Sequence, residues 1–150
     1  MKANTRYFGE VEYGPEDELA FVRGMFGFED ETKFLLLPFE ADSVLYSLQS
    51  LATPQLSFLL MHPFSLDGSY APVLQPEELK ALHAERSEDL CYYVLCALRK
   101  PVAESTINMK CPIAVNLDTM EAMQVILEDG PWQMRHPLSE FEAGKEASPC

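Results

Sequence analysis

Histidines and cysteines are the side chains of this sequence best suited to nucleophilic or metal chemistry. The three histidines, His62, His83 and His136, lie far apart and match no metal-binding spacing. A catalytic thiol needs a base beside it, and Cys111 with His136 is the pairing that would best supply one. A structural or helix-capping role is favoured over catalysis for each histidine. The sequence therefore predicts no catalytic site and no metal site, with a cysteine-dependent enzyme as an alternative.

Sequence motifs for other kinds of catalysis give no stronger signal. The chain contains no H-E-x-x-H, G-x-S-x-G, G-x-x-x-x-G-K-[ST] or G-x-G-x-x-G motif. Its acidic residues cluster at turns, as at 16–18 and 29–31, which is typical of solvated surface rather than paired catalytic carboxylates. We expect a protein that is not an enzyme and needs no cofactor.

The charge balance points to protein partners. The 150 residues include 24 acidic and 11 basic side chains, which gives a net charge of −13. Nucleic-acid phosphates and anionic membranes attract lysine and arginine, so neither is an expected partner. A basic protein partner would be attracted, although excess acid can also serve solubility alone.

The sequence also predicts a cytoplasmic location. The residues after Met1 include Arg6, Glu10 and Glu12 and form no apolar signal segment. The apolar run at residues 90–98 is far too short to span a membrane. The four cysteines form no C-x-x-C motif, which favours reduced thiols.

The candidate residues lie among short β-type runs that are separated by turns rich in proline, glycine and acidic residues. Residues 6–13 alternate partly and predict one strand, and residues 113–117 and 122–127 predict a hairpin. One short helix is expected at residues 75–84, where Pro76 and two glutamates suit a helix start. We predict a mainly β fold, a compact antiparallel β-barrel-like single domain or a sandwich with one short helix.

Several stretches of the sequence, in order, resemble one family. They are GMFGFE at 24–29, FLLLP at 34–38, LQS at 48–50, PQLSF at 54–58, PF at 63–64, NMKCPIAVN at 108–116, QVI at 124–126 and RHPL at 135–138. Together they resemble the flagellar assembly factor FliW. Cys111 and Trp132 depart from the residues expected there, a small one and a tyrosine.

The resemblance implies a β-barrel-like fold and a role in protein binding. FliW-type proteins bind and antagonise the translational repressor CsrA, and binding of flagellin releases them from it. A dedicated flagellin chaperone without a CsrA role is the alternative. By this resemblance residues 1–138 form a FliW-like β-barrel domain. Residues 139–150 lie outside the resemblance, and their small, polar and acidic composition predicts a disordered tail.

Two sets of residues are expected to contact these partners. The partner-binding set combines apolar and aromatic side chains in loops with polar groups near them: Phe64, Tyr70, Asn108, Asn116, Met134, Arg135 and His136. An electrostatic set would repel RNA from a bound CsrA: Glu10, Glu12, Glu16 and Asp17. The alternatives are that the loop aromatics cover the core and that the two asparagines cap turns.

Overall fold

Strands make up most of the regular structure. A computed structural model of the chain describes residues 1–41 and 44–141. The strands are β1 Lys2–Thr5, β2 Gly9–Glu12, β3 Leu19–Phe21, β4 Lys33–Pro38, β5 Leu45–Ser50, β6 Ser57–Met61, β7 Cys91–Ala97, β8 Thr106–Asn116, β9 Glu121–Gln124 and β10 His136–Pro137, and the α-helix is α1 Pro76–Ala81. The predictions of a mainly β fold, of a short helix within residues 75–84 and of a hairpin before residue 127 are confirmed.

Seven strands close into a barrel. Strands β3 to β8 pair antiparallel with their spatial neighbours, and β9 pairs with both β8 and β3. The β3–β9 pairing is parallel, with Ala20 opposite Glu121, and it seals the ring. Each barrel strand points buried side chains inward, among them Leu19, Phe34 and Tyr93. The predicted barrel is therefore confirmed, because its interior forms one hydrophobic core.

A second hydrophobic core covers the outside of the barrel wall. Tyr92, Val94 and Met123 alternate with the inward-facing residues of β7 and β9 and point outward. The chain between β6 and β7, including Tyr70 and Leu82, packs over them together with segments that follow β9. These strands are therefore buried on both faces, which explains their nearly continuous apolar sequence.

Strand β8 carries a wide bulge at the center of the NMKCPIAVN motif. Tyr93 pairs with Ile113 and Leu95 with Asn108, so five residue steps along β8 lie opposite two steps along β7. Pro112, which has no backbone N–H to give to a ladder, lies in this bulge. The Gln133 carbonyl accepts the N–H groups of both bulge residues 109 and 110, at 3.1 and 3.2 Å. The bulge therefore joins the barrel to the outer layer.

The amino-terminal segment and the carboxyl-terminal boundary differ from expectation. Residues 6–13 do not form one strand, because the Thr5 hydroxyl accepts the Phe8 N–H at 2.9 Å and Gly9 adopts φ +66°, which folds β1 and β2 into a hairpin. Phe141, inside the predicted tail, is 7% exposed and joins the outer core. The rest of that tail, residues 142–150, lies outside the described residues.

Across residues 1–41 and 44–141, no helix is both long and apolar enough to cross a bilayer.

Candidate protein-binding groove

Phe64 and Tyr70 occupy opposite environments although both follow β6 in the sequence. Phe64 sits in the 3₁₀ turn Pro63–Ser65 with 47% of its surface exposed, and it remains available to a partner. Tyr70 is 2% exposed, and its hydroxyl donates a 2.7 Å hydrogen bond to the Met109 carbonyl in the β8 bulge. Burial raises the pKa of Tyr70 well above its ordinary value. The prediction of Tyr70 as an accessible contact is therefore wrong, and it is a core residue.

The side chains of both asparagines form hydrogen bonds to nearby backbone groups. Asn108 Oδ1 accepts the Cys111 N–H at 3.0 Å and stabilises the β8 bulge. Asn116 is buried; its Nδ2 donates to the Leu82 carbonyl at 2.7 Å, and its Oδ1 accepts the Asp118 N–H at 3.0 Å. The alternative of a turn cap agrees with Asn116, which is not accessible to a partner, whereas Asn108 stabilises a bulge inside a strand rather than a turn.

The Met134–His136 segment divides into an exposed and a buried part. Met134 and Arg135 are exposed, whereas His136 is buried. His136 Nε2 accepts the Gln133 N–H at 2.8 Å, so the ring proton lies on Nδ1, which donates to a Glu140 carboxylate oxygen at 2.9 Å. The prediction of His136 as an accessible contact is wrong, because both of its ring nitrogens hold the chain after β9 in place.

Cys111 and His136, the thiol and base of the enzyme alternative, are not arranged as a catalytic pair. Cys111 is fully buried, and that burial raises the pKa of its thiol, which disfavours the reactive thiolate. His136 uses both ring nitrogens on other partners. Among the residues that the structure describes, no group of three or more His, Cys, Asp or Glu side chains could hold a metal ion.

Three of the predicted residues line one groove. Asn108, Met134 and Arg135 border a surface groove of about 400 Å³, which also contains Arg6, Phe58 and Leu95. We call it the Arg6–Arg135 groove. Half-buried residues of β6 and β7 form its apolar floor, and the β1–β2 turn forms its far wall. An apolar floor with a few polar groups at its rim is the usual form of a binding site.

The comparisons with known proteins agree on one family. The FliW protein family model matches residues 2–138. The chain belongs to the FliW family. A flagellar assembly factor FliW of Shouchella clausii is 34% identical over 145 residues, covering 97% of this chain and 98% of the relative. One from Lachnospira eligens is 36% identical, covering 92% and 94% of the two chains. A crystal structure of the flagellar assembly factor FliW superposes with a TM-score of 0.84 at 32% identity, covering 92% of this chain.

Several of the FliW-like sequence stretches line this groove or contact residues that line it. Phe58, from the PQLSF stretch, lies on the floor, and its ring contacts Phe28 of GMFGFE edge-on at 5.1 Å between centroids. Gln49, from LQS, is fully buried and accepts the Arg6 N–H at 2.9 Å, which attaches the hairpin turn to the barrel. These stretches therefore position the groove as well as the barrel.

Sequence reasoning missed Arg6, Phe58 and Leu95 as groove residues. Phe58 and Leu95 lie within predicted buried strands, and Arg6 within a predicted strand that is in fact a turn. The partial alternation of residues 6–13 concealed that turn, and Thr5 with Gly9 was the signal that could have revealed it.

All four electrostatic candidates are exposed, but they are not equivalent. Glu10 and Glu12 are two residues apart on β2 and share one face of the hairpin. Glu10 also lies 3.6 Å from the Lys2 ammonium, a surface ion pair of little energetic weight. Glu16 is exposed, whereas the Asp17 carboxylate accepts the Gly14 N–H at 2.9 Å and so stabilises a turn. Three of the four are thus free to act mainly through their charge.

Proposed function

We propose that this FliW-family protein is a cytoplasmic, protein-binding regulator of flagellar assembly. In this proposal it binds the translational repressor CsrA and antagonises it, and flagellin binding releases CsrA. Free CsrA then represses flagellin translation, so that flagellin synthesis responds to the amount of unassembled flagellin. The protein acts by binding alone, without catalysis or a cofactor.

The acidic surface is the observation that carries the CsrA part of this proposal. The chain has a net charge of −13, and the β1–β2 hairpin presents Glu10 and Glu12 on one exposed face. A protein that binds RNA must hold phosphates with basic surface, which an acidic partner attracts. Charges within about 8–10 Å of each other still interact at physiological salt. A bound acidic protein can therefore repel RNA without covering the whole RNA site.

Binding and RNA release test this proposal directly. Calorimetry with purified CsrA and with flagellin measures binding, and fluorescence anisotropy of a labelled RNA measures its release from CsrA. The expected result is that both proteins bind, that the FliW-family protein releases RNA, and that added flagellin restores the CsrA–RNA complex. Flagellin binding without CsrA binding would support the dedicated flagellin chaperone instead.

A charge-neutral variant tests the electrostatic part. Glu10→Gln, Glu12→Gln and Glu16→Gln together remove three negative charges, while Asp17 is kept because it caps a turn. The matched control removes three exposed charges elsewhere on the surface: Glu77→Gln, Glu85→Gln and Glu128→Gln. We expect the first variant to release less RNA at a given concentration than the control. Equal RNA release by both variants would show that the position of these acids is irrelevant.

A further inference from the structure

The floor of the Arg6–Arg135 groove lies where two neighbouring barrel strands separate. The β6–β7 ladder contains two pairs, Leu60 with Leu95 and Met61 with Val94. Beyond Leu60, residues 57–59 of β6 continue to pair with β5, and residues 96–97 of β7 continue to pair with β8. One edge of each strand therefore borders the groove past the end of their common ladder. Strand edges of this kind are templates on which extended peptides bind.

The charge of this groove is opposite to the charge of the molecule. Arg6 and Arg135 are among its lining residues, and within the described part of the chain that lining contains no Asp or Glu. Other surface grooves contain acids, as in one with Glu16 and Asp118 and another with Glu128 and Asp129. With 24 acidic and 11 basic side chains in all, a groove with two arginines and no acid is a local reversal of charge.

The arginines are held beside the groove from separate parts of the chain. The Arg6 backbone is fixed by Gln49, and its guanidinium lies 5.3 Å from the centroid of the Tyr7 ring. Arg135 is adjacent to His136, whose ring is fixed by two hydrogen bonds. Arginine in such places offers a planar set of donors that matches a carboxylate.

We propose that the Arg6–Arg135 groove binds an extended, acidic peptide segment of a protein partner. The segment lies along the free strand edges, places apolar side chains on Phe58 and Leu95, and directs carboxylates to Arg6 and Arg135. This inference rests on the proposed function, since it assigns one partner-binding surface to it. The apolar floor favours a peptide over RNA, and the net charge of −13 opposes a long polyanion.

The test uses a defined peptide and the full-length protein. The probe is a peptide of about eight residues that alternates leucine and aspartate, long enough to follow the exposed edges in extended form. Amide chemical shifts of the ¹⁵N-labelled protein report where it binds, and titration gives the dissociation constant. We expect shifts at Phe58, Leu95 and Met134 and a dissociation constant below about 1 mM. Absence of binding at that concentration, or shifts confined to other surfaces, would overturn the inference.

Charge reversal provides the decisive comparison. Arg6→Glu with Arg135→Glu should weaken binding of the acidic peptide by at least about tenfold and allow a leucine–lysine peptide to bind instead. The matched control, Arg23→Glu with Lys80→Glu, makes the same charge change at exposed positions outside this groove. If the reversed variant does not fold, Arg6→Gln with Arg135→Gln replaces it. Equal weakening by the control pair would refute a role for the groove charges.

Two further arms separate this inference from the proposed function. A short oligouridine RNA that binds the same residues and displaces the peptide would refute the assignment to a peptide. CsrA and flagellin are titrated separately onto the wild-type protein. If both bind and the peptide does not, the inference fails and the proposed function stands. If the peptide binds and neither protein does, the proposed function fails, and the groove stands as a peptide-binding site for a partner other than these two.

Discussion

Tyr70 and Phe64 provide a direct test of how the outer layer is held together. Tyr70 is 2% exposed and donates its hydroxyl proton to Met109, whereas Phe64 is 47% exposed. Truncating a fully buried aromatic side chain to alanine costs about 4 kcal/mol. Tyr70→Phe removes only the hydroxyl and leaves a bulge carbonyl without its donor, which costs about 2 kcal/mol. Phe64→Ala loses only part of its burial and should cost about 1 kcal/mol.

Urea unfolding followed by tryptophan fluorescence measures these differences. Trp132 is the single tryptophan, and its ring centroid lies 5.0 Å from that of Tyr70, so its emission reports on the outer layer. Circular dichroism of the same samples reports on the strands and tests whether both parts unfold together. For a chain of this size, the Tyr70→Ala loss corresponds to a fall in Tm of roughly 10 °C. A Tyr70→Ala loss below about 1 kcal/mol, or one no larger than that of Phe64→Ala, would refute Tyr70 as a core residue.

Two further predictions concern pH and backbone space. Burial lowers the pKa of His62 in the folded protein. The stabilising contribution of His62 is therefore complete above the ordinary histidine pKa of about 6.5 and is lost as pH falls through the lowered folded value. His62→Gln should flatten this fall in the free energy of unfolding, and an unchanged pH profile would contradict the prediction. Gly24→Ala should lower the Tm by several degrees more than Gly68→Ala. A Cβ at Gly24 would lie 2.3 Å from the Glu29 Cα, whereas a Cβ at Gly68 would meet no atom within 4 Å. Equal Tm values for the two variants would show that the loop adapts.

Sequence patterns predict the elements whose structure is set by residues close together in the chain, namely helix α1 and the β8–β9 hairpin. Helix α1 begins at Pro76 as expected, and the Gln75 N–H donates to the Glu78 carboxylate at 2.7 Å, a cap formed within one turn. The β8–β9 hairpin follows from two apolar runs around a short turn. Barrel closure could not be predicted in this way, because alternation shows which face of a strand is buried but not which strand lies beside it.

The candidate site shows the same limit. Phe64 and Tyr70 look alike in sequence, yet only Tyr70 lies over the β8 bulge, which supplies the acceptor for its hydroxyl. Asn116 and His136 carry polar groups suited to a partner, but neighbouring backbone groups already use them. The groove is formed by a hairpin turn, two separating strands and the segment before β10, and contacts of that kind have no local sequence signal. Resemblance in sequence identifies the family, whereas physical position decides which side chains are free to contact a partner.

The parallel pairing of β3 with β9 has a consequence for synthesis on the ribosome. Ala20 pairs with Glu121, so the strands that seal the ring are about a hundred residues apart in the order of translation. Until β9 has left the exit tunnel, β3 lacks one neighbour and the nascent barrel keeps an open edge to which other chains can add. The barrel therefore closes only after β9 has been translated, and a chain cut short before β9 would keep an exposed strand edge that favours aggregation.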